Sequence, residues 1–138
     1  MTDSVRTLSN PEGVHRPLGR YHHLARVKAS ELLFVAGQVS VDIEGNIVGG
    51  GAMAAQVPQV YKNIDNALKS AGASFDNVVE FTTYVVGRER VQEYLDARTE
   101  IFEELFPNGD YPPNTLLVIS GLVDEAIVLE IATTAALP

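Results

Sequence analysis

The chain has no cysteine and few basic residues. The absence of cysteine excludes disulfides, thiolate metal sites and thiol nucleophiles, and it fits a reducing compartment. Only 10 lysines and arginines stand against 18 acidic residues, which gives a net charge of −8. Because this charge repels a phosphate backbone or an anionic membrane on average, we expect neither nucleic acid nor a membrane among the partners.

Long apolar runs are also missing. The first 17 residues contain no apolar stretch of signal-peptide length, and no later segment approaches the roughly 18 apolar residues of a membrane span. We therefore expect a cytoplasmic protein. The length of 138 residues predicts one domain, residues 1–138, with a self-supporting core.

Two segments carry apolar residues at helical spacing. Residues 52–71 form the first, followed by Gly72 as a stop signal, and Pro58 predicts a bend or a later start of the regular helix, around Gln56. Residues 89–106 form the second, ended by Pro107 and Gly109. The residues predicted to face a sheet are Val60, Ile64, Leu68, Leu95, Phe102 and Leu105.

The other apolar segments predict strands at residues 5–9, 24–28, 32–39, 76–86, 115–119 and 126–131. The last two flank a short polar link, which predicts a β-hairpin. Regular alternation in the last strand places Leu129 and Ile131 on a core face, opposed to the helices together with Phe81, and leaves Glu130 on the other face.

This order of elements indicates an α+β domain with both helices on one face of a mixed sheet of five or six strands. Two helices cannot cover both faces, yet residues 32–35 and 116–119 are apolar on both. Because such a face exceeds what soluble monomers usually expose, we expect a closed homo-oligomer that buries it.

Glu130 is the least expected residue in these strands. It is either a solvated residue on an open sheet or an acid held in a partly buried pocket. Asn114 enters the preceding strand and is the nearest polar candidate to act with Glu130, although a strand-entry role also explains it. Since both strands face or border the expected interface, a pocket between subunits becomes plausible.

The sequence lacks the residue patterns of two other common kinds of site, a metal site and a serine-hydrolase triad. His22 and His23 are adjacent on a predicted strand and point to opposite faces, and His15 lies in a loop, so we predict no metal site. Ser120 lies in Ile-Ser-Gly rather than in a G-x-S-x-G elbow, which disfavours a serine-hydrolase triad.

Three stretches together resemble the RidA/YjgF family: LLFVAGQVSVDIEGNIVGG from residue 32, QVPQVYKNIDNALKSAGASFDNVVEFTTYVV from residue 56, and YPPNTLLVISGLVDEAIVLEIATTA from residue 111. The most specific matches are the Gly37-Gln38 pair, the N-x-x-x-A-L-x-x-A-G-A helix end from Asn63, and Leu-Glu-Ile-Ala from Leu129. The resemblance spans about residues 21–135.

The resemblance implies a chorismate-mutase-like α+β subunit and a homotrimer with a barrel-like centre and small-molecule pockets at its three subunit interfaces. Family members of the archetypal type hydrolyse reactive 2-imino and enamino acids to 2-keto acids and ammonia. They use no metal and no cofactor, and we expect none here.

The resemblance retains some of the family's site residues. Tyr21 matches the family's tyrosine, and Glu130 matches the glutamate that is thought to position or activate water. Gly37 is kept as a substrate-binding position, whereas the serine before it falls on Ala36.

Other family residues are replaced. The arginine that would clamp a substrate carboxylate with a bidentate contact falls on Asn114, the cysteine two residues later on Leu116, and the helix asparagine on Thr99. An amide has neither the positive charge nor the two parallel N–H donors of a guanidinium group. The chain therefore resembles the arginine-lacking subgroups, which are generally not effective imino-acid deaminases. Arg20 or Arg98 could supply the charge, but we expect each to be a solvated surface arginine.

Two functions of different classes remain open. One is a hydrolase for a small neutral or non-α-carboxylate substrate, in which Glu130 orients or deprotonates water. The other is a trimer that binds a small metabolite or a partner enzyme without turnover. Glu130 on an interface-facing strand favours the hydrolase.

Overall fold

The computed structural model describes residues 5–138, so the first four residues of the amino-terminal stretch lie outside the described residues. The strands are β1 (Arg6–Ser9), β2 (Leu24–Val27), β3 (Glu31–Val39), β4 (Val78–Val86), β5 (Asn114–Ile119) and β6 (Leu129–Leu137). The helices are α1 (Met53–Ser70) and α2 (Val91–Leu105).

The strands form two sheets instead of the one that the sequence predicted. β1 and β2 pair with each other in antiparallel fashion, and the other four strands lie in the order β3-β6-β4-β5. Strand β6 is antiparallel to both of its neighbours, and β5 runs parallel to β4. The main sheet therefore has four strands, because the short amino-terminal strands form a separate ribbon.

The predicted hairpin of residues 115–119 and 126–131 is wrong. Strand β4 lies between β5 and β6, so these two strands are not neighbours. The link between them folds locally, since the Asp124 carboxylate accepts the Ala126 N–H at 2.8 Å. Two apolar runs joined by a polar link carry no information about a third strand inserted between them.

Both helices pack on one face of the four-stranded sheet, as predicted. The side chains of Val60, Ile64 and Leu68 are fully buried, and Phe102 is buried against Phe81. The predicted sheet positions Leu129 and Ile131 are also fully buried. Leu95 and Leu105 are only partly buried, although both pack against the core.

Helix α1 begins before Pro58 and contains it, so the predicted late start at Gln56 is wrong. Gln56 is fully buried and joins the helix to the chain before β6. Its amide nitrogen donates to the Ala126 carbonyl at 2.5 Å, and its amide oxygen accepts the Val128 N–H at 3.0 Å. A buried polar side chain with both ends paired fixes where β6 enters the sheet.

The face of the sheet away from the helices exposes apolar side chains. Phe34 is 75% exposed, Leu32 is 52% exposed and Leu117 is 40% exposed. The strand registers place these residues on the same face as Tyr84 and Glu130. We call this surface the open face. The homo-oligomer expected to cover it stays a prediction.

Within residues 5–138, no helix combines the length and the apolar character needed to cross a bilayer.

Candidate functional site

A cavity of about 680 Å³ opens between α2, the start of β5 and the loop before β2. Its lining includes four of the residues predicted from the sequence: Tyr21, Thr99, Asn114 and Leu116. Both arginines considered as alternatives, Arg20 and Arg98, line it too. The cavity therefore gathers residues that are far apart in the sequence, and it combines hydrogen-bonding groups with two positive charges.

The two hydroxyl groups of the cavity have different roles. The Tyr21 hydroxyl accepts the Leu18 N–H at 3.2 Å, which leaves its own proton available for a ligand. The Thr99 hydroxyl donates to the Leu95 carbonyl one turn earlier in α2, at 2.9 Å. Thr99 can then only accept a hydrogen bond from a ligand, whereas Tyr21 can donate one.

The Asn114 side chain is held on the helix side of the sheet. Its backbone pairs with Phe81, a core residue, and its amide oxygen accepts the Thr83 hydroxyl at 2.9 Å. No partner of the amide nitrogen is found within residues 5–138. With its acceptor occupied, Asn114 offers two N–H donors to a ligand.

Arg98 is not the solvated surface arginine that we expected. Only 5% of the residue is exposed, and its guanidinium carbon lies 4.9 Å from the ring centre of Phe102 and 5.6 Å from that of Tyr94. The sequence held a signal for this, since Tyr94, Arg98 and Phe102 are spaced four residues apart. That spacing places all three on one face of α2, which is the buried face.

A buried pair of phenols lies beneath this arginine. The hydroxyl oxygens of Tyr61 and Tyr94 are 2.7 Å apart, and the side chains of Thr83 and Arg98 also interact with the Tyr94 hydroxyl. Burial raises the pKa of Tyr61 well above its usual value and raises that of Tyr94 as well, while the Arg98 charge opposes the rise in both. Both phenols therefore stay neutral near pH 7.

Arg20 sits at the rim of the cavity. One of its guanidinium nitrogens lies 3.8 Å from Glu103, in a pair whose carboxylate side chain is 65% exposed. Such a solvent-exposed ion pair contributes little to stability. Arg20 thus keeps much of the surface character that we expected, although its Nε is buried without a hydrogen-bond partner in the described part of the chain.

Glu130 lies on the open face, away from the cavity. Its backbone pairs with Tyr84 on one side and Val39 on the other. A side chain on Gly37 would overlap the Glu130 carboxylate, so only glycine leaves the acid in this position. Across residues 5–138, no hydrogen bond or ion pair engages that carboxylate. Ala36 is exposed next to Gly37.

The predicted site residues thus form two groups. Tyr21, Thr99, Asn114 and Leu116 share the cavity, and Ala36, Gly37 and Glu130 lie together on the other side of the sheet. Asn114 is therefore not positioned to act with Glu130 inside one chain. The sequence indicated which residues were unusual but did not indicate on which face each one lies.

The histidines give no metal-binding cluster in the part of the chain that the structure describes. The rings of His15 and His23 do approach to 5.0 Å, and His23 Nε2 lies 2.6 Å from the His15 carbonyl oxygen. The loop between them brings these rings together, which their separation in the sequence did not predict.

The chain matches known proteins over most of its length. The family model described as endoribonuclease L-PSP matches residues 13–137. A RutC family protein of Aquifex aeolicus is 31% identical over 103 residues, which cover 74% of this chain and 76% of that protein. The RutC family protein YjgH of Escherichia coli is 27% identical over 117 residues, or 85% and 86% of the two chains.

A solved structure has the same fold. The crystal structure of YyfB from Yersinia pestis, described as a protein of unknown function in the conserved Rid protein family, superposes with a TM-score of 0.84. The two chains are 29% identical, and the match covers 96% of this chain and 99% of the other.

Proposed function

The chain belongs to the RidA/YjgF family, and we propose that it is a hydrolase that acts on a small metabolite in a pocket completed by a second copy of the chain. The observation that carries this proposal is the Glu130 carboxylate, which has no partner within residues 5–138 and lies over Gly37 on an apolar sheet face. Burial of a charged side chain without a partner costs free energy. An acid on an apolar surface that is suited to burial therefore indicates a functional role.

Assembly supplies the missing half of the site. In a closed ring of identical subunits, each copy presents its cavity to one neighbour and its open face to the other. A homotrimer of this kind would cover Phe34 and Leu117, which are exposed in the single chain. It would also bring the Glu130 of one copy to the cavity that holds Asn114 and Tyr21 in the next.

The proposed reaction is the hydrolysis of an imine or a related group. Glu130 accepts a proton from water while the water oxygen bonds to the carbon of the C=N group, and the carboxyl group passes that proton to the nitrogen. Glu130 then takes the hydroxyl proton of the resulting carbinolamine and delivers it to the nitrogen as the C–N bond breaks, which leaves a carbonyl group and ammonia. The Asn114 amide and the Tyr21 hydroxyl would orient the substrate by donating hydrogen bonds.

We further propose that 2-imino acids are poor substrates. Neutral hydrogen bonds from Asn114 in place of a bidentate arginine contact should weaken binding of an α-carboxylate against β5, the orientation that an arginine at position 114 would hold, by about 1.5 to 3 kcal/mol. That difference corresponds to a loss of about tenfold or more in affinity.

The second candidate is a trimer that binds a metabolite or a partner enzyme without turnover. It is favoured by the apolar residues Ala36 and Leu116, at positions where the family resemblance led us to expect a serine and a cysteine. A non-catalytic protein would bind its ligand equally well without the Glu130 carboxylate.

A coupled assay of imine lifetime with 2-iminopropionate separates the two candidates. We expect slow turnover by the wild type, faster turnover by Asn114→Arg, and loss of both when Glu130→Gln is added. Glu80→Gln is the matched control, because Glu80 lies on the same open face and its carboxylate accepts the Thr134 hydroxyl at 3.2 Å. Turnover that is unchanged by Glu130→Gln would contradict the hydrolase proposal.

A further inference from the structure

We infer that Arg98 is an anion-binding residue of the cavity and that the ligand it takes carries a small carboxylate group. This deepens the proposed function, since it concerns the same cavity, but it is a statement about binding and does not require turnover. The loss of an arginine at Asn114 raised Arg98 only as one of two alternatives, and it is the burial of Arg98 that distinguishes it from Arg20.

The first step is the charge balance around Arg98. An arginine side chain keeps its charge in proteins. Arg98 is 5% exposed, and within residues 5–138 no carboxylate lies within 4.0 Å of its nitrogens. The neighbouring phenols of Tyr61 and Tyr94 are neutral near pH 7 and cannot balance it. A buried cation without a counter-charge is unfavourable, so an anion that enters the cavity gains from it.

The second step is the orientation of the guanidinium. Its contacts with the rings of Tyr94 and Phe102 hold the group in place before any ligand arrives. Its Nε is buried and has no hydrogen-bond partner in the described residues. A planar carboxylate can accept from two nitrogens of one guanidinium at the same time, which is the bidentate geometry that arginine favours.

Donors around Arg98 extend this anion site. Within the described residues, the two N–H groups of the Asn114 amide and the Tyr21 hydroxyl proton have no acceptor, so all three can donate to a ligand. All three side chains line the same cavity. Together they offer hydrogen bonds to both oxygens of a carboxylate and to a polar atom beside it.

The lining also limits the charge of the ligand. Asp96 contributes a carboxylate to the wall of the cavity, and Arg20 is paired with Glu103 at its rim. Among the described residues, the lining thus holds one arginine without an ion-pair partner next to one acid, which suits a singly charged ligand better than a dianion.

The position of Arg98 on α2 explains how carboxylate binding and poor turnover of 2-imino acids fit together. A carboxylate bound by Arg98 lies toward the helix, whereas one bound by an arginine at position 114 would lie against β5. The same ligand would therefore present a different atom to Glu130.

The test is a solution NMR titration of the full chain with butyrate, which follows the Nε–H resonance of Arg98. Butyramide is the neutral match, and sulfate, which stays doubly charged at the pH of the titration, is the dianionic probe. We expect a saturable shift of this resonance with butyrate, and an affinity at least tenfold weaker for the other two probes. Equal affinity for butyrate and butyramide, or no shift with butyrate, would overturn the inference.

Variants test the residue itself. Arg98→Met keeps an apolar stem between the two rings and removes the charge, and we expect it to lower butyrate affinity at least tenfold while leaving butyramide unaffected. Arg98→Lys restores the charge without the bidentate geometry of a guanidinium group, and its affinity for butyrate should be intermediate. Arg90→Met is the control, because Arg90 pairs with Glu89 and with the Val86 carbonyl outside this cavity. If folded Arg98→Met still prefers butyrate over butyramide by the same factor as the wild type, the inference is overturned.

Glu130→Gln keeps this test independent of the proposed function. If Arg98 binds carboxylates, Glu130→Gln retains or strengthens butyrate binding whether or not the protein has hydrolase activity. If the Glu130 of a neighbouring copy instead neutralises Arg98, butyrate binds only to Glu130→Gln, and the inference fails.

Discussion

Asn114 and Glu130 lie on opposite faces of one sheet. Asn114 pairs with Phe81 of β4, and Glu130 pairs with Tyr84 of the same strand. Residues three apart on a strand point to opposite sides, so the sheet separates the two side chains. The chain thus carries two incomplete parts of a site, a donor-lined cavity on the helix side and, on the open face, an acid that has no partner among residues 5–138.

Gly37 controls the position of the acid. A side chain at this residue overlaps the end of the flexible Glu130 side chain and not the backbone. We expect Gly37→Ala to change the free energy of unfolding by less than about 1 kcal/mol, because the carboxylate can move aside. It should nevertheless lower turnover at least tenfold by displacing that carboxylate.

Gly121→Ala is the control for this change, since no atom of residues 5–138 lies within 4 Å of the position that the added methyl group would take. Denaturant unfolding and the imine-lifetime assay are the two measurements. Full turnover by folded Gly37→Ala would show that the position of the Glu130 carboxylate does not matter.

Phe102 connects the second helix to the core. It is 1% exposed and contacts the rings of Tyr61, Phe81 and Phe106. We expect Phe102→Ala to lower the free energy of unfolding by about 3 to 5 kcal/mol, because it leaves a cavity among these rings. Val123→Ala, at a residue that is 87% exposed, should have almost no effect. A loss below about 1 kcal/mol for Phe102→Ala in denaturant unfolding would contradict this packing.

The open face should be an interface between copies. We expect light scattering to report a closed homo-oligomer, most simply a trimer, at micromolar concentration. Phe34→Glu places a charge where Phe34 is 75% exposed in the single chain, and it should shift the protein toward monomers. Ile43→Glu, in a loop where Ile43 is 97% exposed, is the matched control. A stable wild-type monomer would rule out the interface.

Most of the helical half of the fold could be predicted from the sequence. The spacing of Val60, Ile64 and Leu68 fixes the buried side of α1, and these residues are all buried. The spacing of apolar residues that marks a helix depends only on residues that are close together in the sequence. Strand order depends on long-range pairing, so the insertion of β4 between β5 and β6 could not be inferred from the segment that joins them.

The site was only partly predictable for the same reason. Family resemblance indicated Asn114 and Glu130, but the face of each depends on which strands lie beside it. Arg98 was misjudged because its charge suggested solvent, although its position between Tyr94 and Phe102 predicted burial. The helical spacing predicted the burial of Arg98 better than its charge did, since the two aromatic rings accommodate the guanidinium group.

The most direct test of the central claim is complementation between two inactive variants. Both carry Asn114→Arg to raise the rate with 2-iminopropionate; one adds Glu130→Gln, and the other adds Leu116→Trp, which places an indole ring in the part of the cavity next to position 114. If each site combines the cavity of one copy with the Glu130 of another, co-refolding equal amounts should restore about a quarter of the sites. Each variant refolded alone should stay inactive. Mixed oligomers as inactive as their parents would show that the cavity and Glu130 do not form one site across copies, and would contradict the account.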